Sequence, residues 1–234
     1  MQIIEESVIG VRSAVITFRR PASPMQFVLF PMVHFGTQGF YKAVSDRLRG
    51  CQLVVAEGGR GGSATTTLLG MSCRLLGRSR RLGLVKQDVP VDSLGIPVIR
   101  PDMTGREFAS QWRKAVPLLQ RFVMVLATPV MVAGLLLFGT RRVLGRYLAT
   151  DDLPTHEQEL EAEAREDFDQ VVVHARDALL VDALTSIHEE RSAEPISVAV
   201  VYGAGHMPAV AAMLVSRLGY HARTAEWLTV FDYS

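Results

Sequence analysis

Three apolar runs, each stopping at a polar residue next to glycine, constrain this chain most. Phe27–Val33 ends at His34, which is followed by Phe35-Gly36. Leu53–Ala56 ends at Glu57, followed by Gly58-Gly59, and Ser197–Tyr202 runs into Gly203-Ala204-Gly205-His206. Short, bounded runs of this kind, rich in β-branched and aromatic residues, read as strands buried on both faces, and such strands favour neighbouring places in a mostly parallel sheet. Ligands in open α/β sheets bind beyond the carboxyl ends of the strands. Two imidazoles and a carboxylate, each just past a strand, are therefore expected in one crevice.

The remaining pattern predicts helices around that sheet. Residues 2–33 read as two or three strands, with Arg19-Arg20-Pro21-Ala22-Ser23-Pro24 as a turn. Gly39 to Gly50 places Phe40, Val44 and Leu48 on one helical face, so a β–α–β unit with Cys51–Glu57 is expected, and such units are right-handed. Further helices are expected over 64–78, from Thr104 (whose Glu107 makes a capping box) through Trp112, over 157–190, and from Met207 to Leu218 with Gly219 as its cap. A short extended piece, Ile96–Pro101, and a last strand, His221–Phe231, complete the prediction. Glu157, Glu159, Glu161, Glu163 and Glu166 read as a solvated face at a helix start. The whole 234-residue chain reads as a single α/β domain with a central mostly parallel or mixed sheet, flanking helices and a helical, apolar insertion over 105–150.

That insertion holds nineteen uncharged residues, Phe122 to Thr140, between Arg113, Lys114 and Arg121 on one side and Arg141, Arg142 and Arg146 on the other. Its length suffices for a membrane-crossing helix, and Pro129, Gly134 and Gly139 suit either such a helix or a bent interior one. One full crossing would separate His34 and Glu57 from His206. A shared crevice therefore leaves a buried helix, a broken hairpin, a subunit interface through 115–146 or a segment in or on the membrane.

Composition narrows the function classes. Hydrophobic residues make up 48% and charged residues 21%, which argues against wholesale disorder, and a net charge of +1 gives no general pull toward nucleic acid. Only three of the 25 basic residues are lysines (Lys42, Lys86, Lys114), a bias that coding preference explains more simply than phosphate recognition. Cys51 and Cys73 form no close-spaced pair, and Met1–Glu6 has no basic region followed by an apolar core. A cytoplasmic protein, membrane-associated if the insertion touches lipid, is the expectation. Gly59-Arg60-Gly61-Gly62-Ser63 lacks the lysine and spacing of a phosphate-binding loop.

Neutral imidazoles and a carboxylate suit a divalent metal, so His34, Glu57 and His206 are candidate ligands for zinc, manganese or cobalt that would activate water. A metal-free site is equally coherent, with one histidine as base toward water, Glu57 orienting it, and the other histidine or an arginine stabilising the oxyanion. His156, His174, His188 and His221 have no glycine-turn context and read as surface or structural, and Trp112 and Trp227 as packing residues.

Val33-His34-Phe35-Gly36, Phe40-Tyr41, Val54-Val55-Ala56-Glu57-Gly58 and Tyr202-Gly203-Ala204-Gly205-His206-Met207-Pro208 resemble the TraB/PrgY/GumN family, related to Tiki proteases, whose marks are two Gly-x-x-His motifs and an intervening glutamate. Pro101-Asp102-Met103-Thr104 with Glu107-Phe108, and Arg176-Asp177, resemble further family stretches, while 110–150 carries little likeness. The resemblance implies a fold shared with erythromycin-esterase-like and haem-binding ChaN-like proteins. It also implies a hydrolytic site of His34, Glu57, His206 and Arg176, acting with a metal on amide or ester bonds of a peptide-like or small-molecule substrate. Gly36, Gly203 and Gly205 would bring backbone close to that substrate, and Arg60 would reach an anionic group on it. The same resemblance also admits a non-catalytic peptide- or haem-binding regulator, and the apolar insertion a membrane-associated scaffold. Two departures stand out: Pro31 replaces the first motif's glycine and removes an amide there, and Arg60 lies earlier than the family's arginine.

Overall fold

The computed structural model describes residues 2–58, 77, 79, 81–148 and 174–234. Nine strands are formed among them: β1 (Ile4–Glu6), β2 (Gly10–Arg20), β3 (Ser23–Met32), β4 (Phe35–Gly36), β5 (Leu53–Ala56), β6 (Val85–Lys86), β7 (Val98–Ile99), β8 (Ser197–Gly203) and β9 (His221–Asp232). Helices are α1 (Gln38–Leu48), α2 (Gly105–Ala115), α3 (Leu118–Phe138), α4 (Arg141–Leu148), α5 (Ala175–Arg191) and α6 (Met207–Ser216).

The main sheet is mixed, with seven strands. Its centre is parallel: β3 pairs β8, β8 pairs β5 and β5 pairs β7. β8, late in the chain, thus lies between two strands formed early. The other half is antiparallel, with β9 along the length of β2 from Gly10 to Arg19 and β3 on the opposite side of β2. β1 pairs β2 at Val11–Ser13, beyond the stretch that β3 occupies. β4 and β6 form a separate two-stranded sheet. Helices flank the sheet, α1 packing on β9 and α5 on α6.

The apolar runs behave as their composition predicts. Every residue of β5 is buried, as are the last four of β3 and the middle five of β8. Phe18, Phe27, Phe30, Tyr202, Tyr220 and Phe231 are among the fully enclosed side chains. Each large side chain removed from water stabilises the fold by about 1.5–3 kcal/mol.

Turn chemistry sets the boundaries. Pro21 and Ala22 make the turn between β2 and β3. Thr37 caps α1, its hydroxyl accepting from the Phe40 amide, and Phe40, Val44 and Leu48 are buried as their spacing predicts. Thr104 and Glu107 form the expected capping box on α2. Gly219 takes a positive φ of 68° just past α6, a conformation that glycine adopts at no steric cost. The helix expected over 64–78 lies outside the described residues except Gly77, which sits in a turn, and so does the acid-rich start of the 157–190 helix.

The apolar insertion forms one continuous helix through Pro129, not a broken hairpin. It is not a core helix of this chain either: Leu118, Phe122, Leu126, Val130, Met131 and Phe138 are all exposed, and only 6% of its most apolar window is buried. By length and composition alone it suffices to cross a membrane. Val132 joins the main core and Leu135 and Leu136 pack against it, while Phe108, Trp112 and Val116 of the preceding segment form a small cluster of their own.

Leu29, fully buried and in register with Ile16 on one side and Val200 on the other, tests the central sheet. Leu29→Ala is expected to lower stability by about 2–5 kcal/mol in urea unfolding. Val215→Ala, at an exposed position of α6, is expected to change it by less than about 0.5 kcal/mol.

Candidate functional site

The register places the three predicted polar residues beyond the same ends of adjacent strands. Met32 of β3 faces Gly203 of β8, and Val201 of β8 faces Ala56 of β5. His34 follows β3 by two residues and Glu57 follows β5 directly. β8 leads through a 3-10 turn, Ala204–His206, into α6, with Pro208 in the first turn of the helix.

His206 is buried, only 5% exposed, with Tyr202 edge-on to its ring at 5.6 Å. Its Nδ1 lies 2.7 Å from Oδ1 of Asp177, in the first turn of α5. A carboxylate there accepts the Nδ1 proton, so the neutral ring carries its lone pair on Nε2. A buried histidine in that tautomer, fixed by a buried carboxylate, has the geometry of an oriented base.

The residue before Asp177 serves a second network. Arg176 Nη2 donates to Glu57 Oε1 at 2.7 Å, and Arg176 makes a two-pronged pair with Asp102, Nε to Oδ1 at 2.8 Å and Nη2 to Oδ2 at 2.6 Å. The Gly58 and Met103 amides also donate to Asp102, at 2.9 and 2.8 Å. The second oxygen of Glu57 accepts from the Gly203 amide at 2.8 Å. Burial pushes the Asp102 carboxyl up, but Arg176 and the two amides outweigh it and hold the group below its ordinary range. Arg176 itself is disfavoured as a cation by burial and favoured more strongly by Asp102 and Glu57, so it is held charged. Tyr202 donates to the Pro101 carbonyl at 3.2 Å, and burial followed by the nearby Asp102 charge keeps its phenol protonated.

Gly203 is where the two networks meet. A Cβ there would stand 3.3 Å from Glu57 Oε2 and 3.6 Å from His206 Cδ2, so carboxylate and imidazole flank one backbone position. A crevice of about 750 Å³ opens on the Glu57 side beyond β5 and β7, lined by Glu57, Gly58, Asp92, Val98, Arg100, Asp102 and Thr104; His206 stands behind Glu57 and Gly203 and is not part of that lining. Arg100 binds Asp92 through Nη2 at 2.7 and 2.8 Å and reaches the Glu57 carbonyl at 3.4 Å.

The other predicted residues are placed differently. His34 is exposed in a bend, its carbonyl accepting from the Gln87 amide at 2.9 Å, and among the described residues its ring makes no hydrogen bond with the Glu57–Arg176–His206 group. Gly36 is buried in β4 against Phe40, Tyr41 and Val230, where packing alone accounts for a glycine. Space is open around Gly205. Arg60 and Cys73 lie outside the described residues, as does His156. Burial raises the thiol of Cys51 to about 11, which makes it inert. His188 is structural, bridging Tyr220 and Arg20 at 3.1 and 3.2 Å, and His174 and His221 are exposed. Trp112 stacks on Phe108 at 6.0 Å and Trp227 lies under Arg12 at 5.4 Å. Among the described residues, no three His, Cys, Asp or Glu side chains form a group able to hold a metal ion.

Asp102 and Asp177 are the site residues that residue-by-residue reading missed. Each stands beside a recognised feature, Asp102 before the Thr104 capping box and Asp177 after Arg176, but neither has a glycine turn to mark it. No family model, curated protein or solved structure matches the chain.

Arg176→Met leaves two carboxylates without their cation. The expected loss is about 3–5 kcal/mol at neutral pH in urea unfolding. The wild-type contribution of Asp102, whose carboxyl is held low when folded, is fully present above about pH 4 and fades as pH falls through its lower folded value. The difference between wild type and variant is therefore expected to shrink on acidification.

Proposed function

We propose that this chain is a hydrolase cleaving an amide or ester bond in a peptide-like substrate, with His206 as the base that activates water. One observation carries the reading: a buried Asp177–His206 pair stands beside a carboxylate that Arg176 and the Gly203 amide lock in place. The likeness of the His34, Glu57 and Gly-Ala-Gly-His segments to the TraB/PrgY/GumN family and its Tiki-like relatives supports the same chemistry.

In this reading Asp177 holds the ring and stabilises the imidazolium that forms when Nε2 takes a proton from water. That proton then passes to the leaving nitrogen or oxygen as the tetrahedral intermediate collapses. Glu57, fixed at both oxygens, sets the charge of the pocket and aligns the substrate, and Arg176 holds it there. His34 supplies a second imidazole from the neighbouring strand end. Asp92, Arg100, Asp102 and Thr104 give the crevice a polar lining, which suits a peptide-like group better than haem.

The related metal form would draw on His206, His34 and Glu57 to hold manganese, cobalt or zinc. Glu57 has both oxygens engaged, with a guanidinium nitrogen 2.7 Å from one of them, so its negative charge is already answered. The donor set as arranged therefore supports the metal-free form.

A screen of ester and peptide libraries, run with chelator and with added manganese, tests this. Turnover that persists in chelator and falls about 10²–10⁴-fold in His206→Ala is the expected result. Asp177→Asn is expected to lower kcat while leaving KM nearly unchanged. Activity that appears only with manganese and vanishes with His34→Ala transfers the roles to the metal form. Absence of turnover by the wild type, or full activity in His206→Ala, overturns the proposal.

A further inference from the structure

We infer that α3 docks the protein on an anionic lipid bilayer, lying within one leaflet without crossing it. This stands independently of the hydrolase reading. The helix is 21 residues long with a mean hydropathy of 2.1 in its most apolar window, and Arg121 is its only charged residue. Phe122, Leu126, Val130, Met131, Leu137 and Phe138 are each more than half exposed. Contiguous apolar surface on that scale marks an interaction site in a folded protein.

Crossing is excluded by the sheet. Strands β2, β3 and β5 precede α3, whereas β8 and β9 follow it, and β2 pairs β9 while β8 pairs both β3 and β5. A single span would put hydrogen-bonded partners on opposite sides of the membrane. The sequence between α4 and α5 offers no return crossing, since residues 149–173 carry nine carboxylates.

A helix lying in the interface ordinarily needs a polar face toward water. Here the domain takes that place: Val132 is in the main core, and Leu135 and Leu136, three and four positions on, pack against it. The far end of the helix is tied down as well. The Leu137 carbonyl accepts from Arg81, and just beyond it Arg141 binds the Leu82 carbonyl and Asp232, each at 2.7 Å. With one side on protein, the remaining sides are free to sit among acyl chains.

Charge selects lipid over a second copy of the chain. No acidic residue occurs between Glu107 and Asp151, while Arg113, Lys114, Arg121, Arg142 and Arg146 flank or begin the apolar run, in addition to Arg141, whose charge Asp232 already answers. Anionic headgroups would neutralise both basic ends. A paired α3, parallel or antiparallel, would set basic ends against basic ends.

Cosedimentation of the purified full chain with sealed vesicles tests this, comparing phosphatidylglycerol–phosphatidylcholine with phosphatidylcholine alone. Binding to the anionic vesicles is expected. It should weaken about tenfold or more in Arg113→Gln/Lys114→Gln and be lost in Leu126→Glu/Val130→Glu, whose exposed positions leave the fold intact by circular dichroism. Protease added outside should cut both before α3 and after it. Three outcomes overturn the inference: no cosedimentation, binding unaffected by Leu126→Glu/Val130→Glu, or protection of one half only. A stable dimer by light scattering that the same double variant dissolves, with no vesicle binding, would assign the surface to a second copy instead.

Discussion

The fold depends on β8, a strand that is made late and seated in the middle. Its seven residues pair with β3 on one side and four of them, Val198–Val201, pair with β5 on the other, so the parallel half of the sheet has no continuity without it. Before it inserts, β3 and β5 each present an open edge of unpaired amides and carbonyls, the arrangement that invites wrong pairings. The contact also spans most of the chain, and closing so long a loop is slow in entropic terms. What the molecule gains is position. The same insertion that completes the sheet carries Gly203 and His206 to the gap beside Glu57.

A second constraint acts at the start of α5. Arg176 and Asp177 are consecutive, so on a helix their side chains diverge by roughly a quarter turn or more. One reaches Glu57 and Asp102, the other His206. A single helical turn therefore sets the orientation of both the carboxylate and the imidazole. Two carboxylates against one guanidinium would leave an excess negative charge in a partly buried place, which is costly unless hydrogen bonds answer it. The amides of Gly58, just past β5, of Gly203, the last residue of β8, and of Met103, ahead of α2, supply that answer.

Much of this was legible in the residues, and what was not has a physical reason. Apolar β-branched runs announce strands, and buried ones announce neighbours, so the convergence of Glu57 and Gly203 followed from pattern. The cap of α2 by Thr104 and Glu107 and the glycine beyond α6 were local signals and came through intact. Periodicity is silent on partner identity, so nothing in the sequence said that β8 would separate β3 from β5, or that β9 would lie antiparallel along β2. Asp102 and Asp177 were hidden for a related reason. A carboxylate becomes a site residue through what the fold sets against it, and neither has a distinctive local context. Gly36, whose motif position points to a ligand contact, is packed in β4 against Phe40, Tyr41 and Val230. Pro31, which lacks the amide of a motif glycine, sits opposite Tyr202 in register and offers its carbonyl to the Ser13 hydroxyl at 2.8 Å. The sheet uses it as an acceptor only.

The apolar insertion and the polar crevice meet at one short connection. Asp102 is bound by Arg176 and two backbone amides, Met103 next to it is buried, and Thr104 already caps α2. An element rich in exposed apolar surface would be a hazard if it were free to swing across a charged site, since it would strip water from ions that need it. The fixed Asp102 prevents this on one side. On the other, Arg141 is anchored to Leu82 and Asp232, close to the end of α3. The insertion therefore leaves the domain from a charged post and returns to another, and both posts are built from guanidinium–carboxylate pairs. Arginine suits that duty because its planar fork fixes direction as well as charge, and direction is what keeps two such different surfaces apart within one domain.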